Sequence, residues 1–212
     1  MRAVRPTRAP SPWQDRPVTT RDDAATSDPI AELAVAAIAS ALLGRPVPAR
    51  EGDDSTLNRL GASFVTVDRA GRLRGCIGSL YAARPLRDDI TRNAIRALRD
   101  PRLPAVTADE WPQLTVSVSV LSKPEPLPVG TIDDIHDLIR PGVDGLTLAT
   151  KHSRATFLPS VWRSLPEPRS FLAALIAKGG WTVDDWPTDL RVERYTTTSH
   201  ISPAPRPPLE TL

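Results

Sequence analysis

The stretch SFVTVDRAGRLRGCIGSL (63–80) decides the fold class of this chain. Two runs rich in β-branched and other apolar residues flank the dipeptide Ala70-Gly71, and this pattern predicts two strands joined by a tight turn. Apolar residues at helical spacing precede and follow the hairpin. An explicit hairpin among helices favours an α+β fold with an antiparallel or mixed sheet over a doubly wound parallel sheet.

Further helices and strands are predicted on both sides of the hairpin. Residues 28–44 and 85–100 show the apolar stripe of amphipathic helices. LTVSVSVL (114–121) alternates apolar and hydroxyl side chains without a break, which is typical of a half-buried strand. Between residues 131 and 197 the sequence predicts a short helix, two strands, a longer helix closed by glycine and a last strand.

Proline-rich, polar segments lie at both ends of the chain. Residues 1–26 and 202–212 are short of core-forming side chains, so we predict that both are disordered tails. The chain has 212 residues, which is enough for one domain with a substantial core. We predict that residues 27–201 form this domain.

The charge of the chain is concentrated near its first residues. The formal net charge is +2, and residues 1–24 already carry five arginines and three aspartates, so the remainder is neutral. A neutral body lacks the broad positive surface that nucleic-acid binding requires, which disfavours nucleic acid as a partner. No stretch approaches the roughly 20 apolar residues of a membrane helix, so no membrane association is predicted.

Metal and cofactor motifs are missing from the sequence. His136, His152 and His200 lie far apart, and neither a phosphate-binding loop nor a dinucleotide fingerprint occurs, so we predict no metal and no cofactor. Cys76 is the only cysteine, which excludes an intramolecular disulfide. A single free cysteine favours the reducing cytoplasm as the compartment of the protein.

Cys76 lies within the second predicted strand, where side chains alternate between two faces. Leu73 and Ile77 are expected to face the core, and Arg74 and Cys76 the opposite side. A guanidinium beside a thiol favours the thiolate, so this arrangement predicts a lowered pKa for Cys76. The alternative is that Cys76 is a small apolar side chain filling a gap in the core, which is a common role of free cysteines.

Gly75 and Gly78 interrupt the same strand. Glycine weakens a strand interior and is expected where a helix, a ligand or another backbone comes close. The prolines of DPRLP (100–104) and ATFLP (155–159) stiffen loops that carry charged or hydroxyl groups. Lys178, near the end of a predicted helix, is interpreted as complementing the negative end of the helix dipole.

LRGCIG (73–78) and TFLPSVW (156–162), with DPRLP between them and FLAALIAKGGW (171–181) after them, form a specific combination. In these motifs and their order the chain resembles the AMMECR domain family, known in bacteria and archaea as AmmeMemoRadiSam system protein A. The similarity extends from about Asp28 to Tyr195. It implies a single α+β domain of two unequal lobes, with a mixed or antiparallel sheet flanked by helices. It also implies a cleft between the lobes, lined by the glycine-cysteine strand.

The resemblance implies partners as well as a fold. Genes of the family are often associated with, or fused to, genes for a Memo-like protein and a radical SAM enzyme. The family supplies no reaction, and RNA-related, regulatory and modification roles have all been suggested for it. The family-typical positions of this chain are Arg74, Gly75, Cys76, Gly78, Asp100, Arg102, Thr156, Pro159 and Lys178.

Two main functional hypotheses follow, and whether the protein is an enzyme stays open. In the first, Cys76 is the catalytic nucleophile of a modification system and acts on a small molecule or a macromolecule. Arg74 and Arg102 then bind an anion or tune the thiol, and Thr156 orients the substrate. The expected substrate-binding residues are Arg74, Gly75, Gly78, Asp100, Arg102, Thr156 and Pro159.

In the second hypothesis the same cleft binds a peptide or a metabolite without catalysis. The protein is then an adaptor or regulatory module for the Memo-like and radical SAM partners. A weaker third hypothesis is an RNA-associated accessory protein, against which the neutral body of the chain counts. A homo-oligomer is compatible with all three hypotheses.

Overall fold

The computed structural model of the protein describes residues 28–48, 55–182, 187 and 189–209. Within these ranges the chain forms five α-helices, two 3-10 helices and ten strands. The α-helices are α1 (Pro29–Leu42), α2 (Ser55–Asn58), α3 (Leu86–Ala97), α4 (Ile132–Leu138) and α5 (Pro168–Lys178). The strands are β1 (Leu60–Gly61), β2 (Ser63–Arg69), β3 (Arg72–Gly78), β4 (Arg84–Pro85), β5 (Leu114–Leu121), β6 (Glu125–Leu127), β7 (Gly145–Ala149), β8 (Arg154–Phe157), β9 (Arg191–Tyr195) and β10 (Thr197–Ser202). The 3-10 helices are Ala108–Gln113 and Pro159–Arg163.

The strands form two four-stranded antiparallel sheets and one short pair. The order is β10-β5-β2-β3 in the first sheet and β6-β9-β7-β8 in the second, and β1 pairs with β4. The chain therefore passes from the first sheet to the second after β5 and returns after β9. This mixture of helices and antiparallel sheets confirms the α+β prediction.

The hairpin predicted from residues 63–80 is present as β2 and β3. Ala70 and Gly71 both have positive φ angles, +49° and +75°. Two consecutive residues of this kind give a turn whose twist matches that of the strands it joins. The prediction of the turn at Ala70-Gly71 is confirmed.

The hairpin contains a bulge that the alternation of side chains did not predict. The register shifts between Val67 and Asp68, and Arg74 is the extra residue on β3 opposite this point. Beyond the bulge, Leu73 is 45% exposed, so the prediction that Leu73 faces the core is wrong. Ile77, on the other side of the bulge, packs against the core as expected.

The first lobe consists of the first sheet with α1 and α3 on one of its faces. The Asp28 carboxylate caps α1 by accepting hydrogen bonds from the backbone N–H of Ile30 and Ala31, and Pro29 occupies the first turn, as predicted. The core side chains from the strands are Val65, Val67, Leu114, Val116 and Val118. The predicted apolar stripe of α3 faces them and consists of Leu86, Ile90, Ala94 and Ala97.

The second lobe consists of the second sheet with α4 and α5, and its core is separate. Phe171 of α5 stacks on Trp162, with ring centroids 3.8 Å apart. The indole N–H of Trp162 donates a hydrogen bond to the carbonyl of Asp144, at 2.7 Å. The aromatic pair is therefore anchored to the loop that leads into β7.

A small apolar cluster joins the two lobes. Its members are Ala62, Leu121 and Tyr195, with Phe64, Leu80 and Leu158 packed against them. Polar contacts of Tyr81 strengthen the junction. Its hydroxyl donates to the Glu193 carboxylate at 2.8 Å, and the Arg154 guanidinium lies 4.8 Å from the centre of its ring. The lobes meet on the side of the first sheet that the helices leave open.

The last described segment corrects a prediction. Residues 202–209, expected to be part of a disordered tail, lie against the first lobe. The indole N–H of Trp111 donates to the carbonyl of Pro207 at 2.8 Å, and Leu209 is only 5% exposed. The folded part of the chain therefore extends beyond the predicted boundary at residue 201. The predicted tail at residues 1–26 lies outside the described residues.

Candidate functional site

Cys76 lies on the face of the first sheet that is turned away from α1 and α3. Val65 and Val67 of β2 point towards the helices, so Thr66 and its partner Cys76 point the other way. The Thr66 hydroxyl donates a hydrogen bond to the Cys76 sulfur, at 3.3 Å. Cys76 is partly buried, so its thiol is neither sealed in the core nor fully open to solvent.

The two glycines of the motif are required by packing. A Cβ on Gly75 would overlap the backbone carbonyl oxygen of Ala97 in α3, and a Cβ on Gly78 would overlap the ring of Phe64. Gly75 thus marks the close approach of a helix, one of the reasons expected for a strand glycine. Both glycines shape the site, but the contacts that explain them are internal to the protein.

A loop after α3 closes the exposed edge of β3. The backbone N–H of Cys76 donates to the Asp100 carboxylate at 3.0 Å, and its carbonyl accepts a hydrogen bond from the Arg102 guanidinium at 3.1 Å. β3 is an edge strand, and unpaired backbone groups on such an edge need partners. Asp100 and Arg102 supply these partners and hold residues 100–104, which we call the cysteine loop, against the backbone of Cys76.

The ion pair within this loop is asymmetric. Arg102 Nη2 lies 2.6 Å from the Asp100 carboxylate, whose side chain is 0% exposed, whereas the Arg102 side chain is 65% exposed. Hydrogen bonds from Arg102 keep the pKa of Asp100 well below its ordinary value, although burial acts in the opposite direction. The site consequently turns a positive charge outward and covers the negative one.

Arg74 does not have the role that its spacing from Cys76 suggested. Its Nε and Nη2 donate to the Glu110 carboxylate at 3.1 and 3.0 Å, and the same guanidinium also donates to the carbonyls of Pro104 and Ala105. The bulge at Arg74 separates it from the regular alternation of β3. Arg74 therefore holds the loop and the 3-10 helix that follow α3, and Arg102 is the arginine beside the thiol.

The thiol of Cys76 is not activated in this structure. Burial raises its pKa above the ordinary value, and the nearby carboxylates of Asp100 and Asp68 act in the same direction. The Thr66 hydrogen bond and the Arg102 charge oppose this effect but do not overcome it. The expectation of a lowered pKa is thus not met.

Lys178, at the end of α5, brings the second lobe to the site. Its amine donates to the carbonyl of Thr156 at 3.0 Å and lies 5.0 Å from the centre of the Phe157 ring. Burial and the positive charge of Arg102 both lower the pKa of Lys178, whereas the interaction with Cys76 raises it. The amine is therefore close to the cysteine loop, and complementing a helix dipole is not its only role.

The hydroxyl of Thr156 is used inside the second lobe. It donates to the carbonyl of Leu146 at 2.9 Å, accepts a hydrogen bond from Thr147, and lies 2.8 Å from the Tyr195 hydroxyl. Thr156 was expected to orient a substrate through this hydroxyl, but its partners are already internal. What Thr156 offers to the site is its backbone carbonyl, which positions Lys178.

Pro159 lies apart from the cysteine loop. It begins the 3-10 helix that follows β8 and lines a separate cavity of about 360 Å³ together with Ser119 and Trp162. Of the predicted residues, the structure therefore brings together Gly75, Cys76, Gly78, Asp100 and Arg102. Thr156 joins them only through Lys178, and Arg74 and Pro159 have other surroundings.

Two contributors to the site, Thr66 and Asp68, were missed in the sequence, and the position of a third, Lys178, was not predicted. Thr66 and Asp68 lie on β2 and share the face of Cys76, which the alternation of β2 could have indicated once the hairpin register was known. Lys178 was named as a family-typical position, but the only role inferred for it was at the end of its own helix. Its approach to Arg102 depends on how the two lobes meet, for which the sequence carries no local signal.

Within the described ranges, no group of three or more His, Cys, Asp and Glu side chains is arranged to hold a metal ion. No helix in these ranges has the length and apolar character needed to cross a membrane. His200 pairs instead with Asp28, at 2.7 Å, and so links β10 to the start of α1.

Comparisons with known proteins give one consistent family. The AMMECR1 family model matches residues 31–200. A protein of Methanothermobacter thermautotrophicus is 46% identical over 99 residues, which are 46% of this chain and 52%, about half, of that relative. A protein of Thermofilum pendens is 32% identical over 176 residues, 75% of this chain and 80% of the relative.

A solved structure agrees with the sequence comparisons. The crystal structure of an uncharacterised protein from Pyrococcus horikoshii is similar, with a TM-score of 0.75 and 29% sequence identity, over 84% of this chain and 95% of that one. The family match runs through both lobes and includes the cysteine strand, its clasping loop and the lysine of α5. On this ground the chain belongs to the AMMECR1 family.

Proposed function

We propose that the cleft beside Cys76, where the two lobes meet, binds an anionic group of a ligand. The observation that supports this proposal is the position of the Arg102 guanidinium, which donates to the carbonyl of Cys76 at 3.1 Å and whose charge lowers the pKa of Lys178 in the other lobe. The charge of Arg102 acts on both Cys76 and Lys178, so the three groups are within electrostatic reach of one another. Two cationic groups that approach each other around a half-buried site favour an anion between them.

The burial of the Asp100 carboxylate supports the same proposal. The Asp100 carboxylate is 0% exposed, while the Arg102 guanidinium remains available on its outer side. Burial disfavours the charged form of Lys178, and a bound anion would offset this cost. A phosphate or a carboxylate has the charge and the acceptor oxygens to pair with a guanidinium and an amine together.

Inorganic phosphate and succinate are suitable probes of this site. At about ten times its dissociation constant, a ligand stabilises the folded protein by about 1.4 kcal/mol, which corresponds to a rise of roughly 3–6 °C in Tm for a chain of this size. We expect one or both anions to raise the Tm of the wild type at constant ionic strength. Comparing the two shows whether phosphate or carboxylate is preferred.

Variants that remove one charge each test whether the anion binds at Arg102 and Lys178. Arg102→Gln and Lys178→Met keep most of each side chain but remove the charge, and each should abolish the rise in Tm. Arg72→Gln removes an exposed arginine at the start of β3 and should leave the rise in Tm intact. Equal shifts in all four proteins, or a shift in none, would contradict the proposal.

A second candidate function is thiol chemistry at Cys76. It is favoured by the Thr66 hydroxyl, which donates to the sulfur, and by the Arg102 charge, since both stabilise a thiolate. Burial nevertheless raises the pKa of the thiol and so disfavours the thiolate, and a catalytic role would be favoured by a bound substrate that lowers this pKa. Saturating phosphate that accelerates alkylation of Cys76 would favour catalysis, and slower alkylation would favour binding alone.

We also propose that the protein works in the cytoplasm with a Memo-like protein and a radical SAM enzyme. The support is the family resemblance, which carries this association, and the cleft would then present or bind the shared substrate. Purification of the tagged full chain from its native cells should recover one or both partners. Recovery of neither, under conditions that retain other known complexes of those cells, would count against the partnership.

A further inference from the structure

A second surface feature lies on the opposite side of β3 from the cleft. It is a groove of about 640 Å³ between the ends of α1 and α3 and the loop that follows α3. Eight of its eleven lining residues are apolar, among them Leu42, Ile77, Ile95 and Val106. Ile95 is 38% exposed, which leaves a large apolar side chain on the surface beside the groove.

Positive charge borders this groove. Arg96 and Arg99 line it, and Arg92 lies one helical turn before Arg96 on the exposed side of α3. No ion pair of these three arginines occurs among the residues that the structure describes. No acidic residue lines the groove. The surface is therefore apolar in the middle and positive along one side.

From this combination we infer that the groove is a docking site for an acidic amphipathic segment of a partner protein. Apolar side chains on one face of such a segment would fill the groove, and its carboxylates would pair with Arg96 and Arg99. This inference goes beyond the proposed function, because it concerns a different surface and a different class of ligand.

Other occupants fit the groove less well. Residues 1–24 of the same chain carry five arginines and three aspartates, so their charge has the same sign as that of the groove. Residues 49–54 (AREGDD) are acidic but contain no large apolar side chain. No aromatic residue lines the groove, and single-stranded nucleic acids are held largely by stacking on aromatic rings.

The groove and the cleft share structural elements. Ile77 lines the groove and is adjacent to Cys76, and Pro101 lines it between Asp100 and Arg102. A segment bound in the groove would contact the back of the loop whose front holds Arg102 beside the thiol. Occupation of the groove would therefore restrict the motion of the cysteine loop.

A labelled synthetic peptide tests the docking site on the full chain. The peptide has about 15 residues, leucine at positions i, i+3, i+4 and i+7, and glutamate at most other positions, so that it can form an amphipathic helix. Fluorescence anisotropy should show saturable binding that weakens with added salt. Arg96→Glu with Arg99→Glu should lower the affinity at least about tenfold, and Ile95→Glu should also lower it.

A control variant tests whether the binding is specific to the groove. Arg72→Glu reverses an exposed charge elsewhere and should bind the peptide like the wild type. Three results would overturn the inference: equal binding of a peptide with lysine in place of glutamate, binding of a single-stranded RNA in preference to the peptide, and a homodimer that Ile95→Glu dissociates. Absence of saturable binding by the acidic peptide would overturn it as well.

Discussion

Strand β3 has two sides that are built in different ways. On one side the backbone at Gly75 approaches the carbonyl of Ala97 so closely that no side chain fits between them. On the other side Cys76 faces Thr66, with Asp68 and Arg102 near the sulfur. Gly75 therefore permits close packing against α3, whereas Cys76, the next residue of the same motif, faces polar and charged side chains.

The largest predicted effect is on the packed side. Gly75→Ala forces a Cβ onto the backbone of α3, which cannot move aside like a flexible side chain. We expect a loss of about 3 kcal/mol in the free energy of unfolding, measured by chemical denaturation. On the polar side, Cys76→Ala removes one partly buried sulfur and should cost less than about 1 kcal/mol.

A matched glycine makes this comparison specific. A Cβ added at Gly130 would lie 3.7 Å from its nearest neighbour, the Asp134 carboxylate, so Gly130→Ala should leave stability almost unchanged. A similar small effect for Gly75→Ala would show that the strand and α3 are not in close contact. A larger loss for Cys76→Ala than for Gly75→Ala would reverse the assignment of the two sides.

The next effect concerns the hydrogen bonds that hold the cysteine loop against β3. Asp100→Asn weakens the hydrogen bonds to Arg102 and to the Cys76 backbone, and should cost about 1–3 kcal/mol at neutral pH. Because the folded-state pKa of Asp100 is below 3.8, the carboxylate stabilises the protein above that pH, and this contribution is lost as the pH falls below it. The wild type should therefore lose more stability than Asp100→Asn between pH 6 and pH 3.

An exposed aspartate provides the control for this substitution. Asp137→Asn, in the last turn of α4, should leave the free energy of unfolding at neutral pH close to that of the wild type. If the free energy of unfolding changed with pH in the same way in the wild type and in Asp100→Asn, the attachment of the cysteine loop to β3 would not depend on the charged carboxylate.

The elements that could be predicted from the sequence are those defined by neighbouring residues along the chain. The turn at Ala70-Gly71 and the alternation of residues 114–121 were predictable because they depend on neighbours along the chain. β10 was missed because its Thr and Ser residues show no apolar period, and it is defined by pairing with β5. Local chemistry was thus sufficient for most elements but not for a polar edge strand.

The candidate site could be predicted only in part, for a related reason. Arg74 is two residues from Cys76, yet it pairs with Glu110, which is 36 residues away in sequence. The arginine that reaches Cys76 is Arg102, at a separation of 26 residues. A bulge decides which arginine faces the thiol, and the meeting of the lobes decides the position of Lys178. Neither feature is encoded by residue spacing.

The smallest effects are expected in the titration of the thiol. Arg102→Gln removes a charge that favours the thiolate and should raise the pKa of Cys76, whereas Asp68→Asn removes a charge that opposes it and should lower the pKa. The pH dependence of alkylation with iodoacetamide reports these values independently of access to the sulfur. Shifts of the same sign in both variants would contradict the placement of these groups around Cys76.

The most direct test of the anion-binding cleft is the pKa of Cys76 measured by alkylation with and without saturating phosphate at constant ionic strength. A phosphate bound between Arg102 and Lys178 places negative charge beside the thiol, so we predict that it raises the pKa of Cys76 in the wild type. The rise should disappear in Arg102→Gln and persist in Arg72→Gln. An unchanged or lowered pKa in the wild type with phosphate bound would contradict the account.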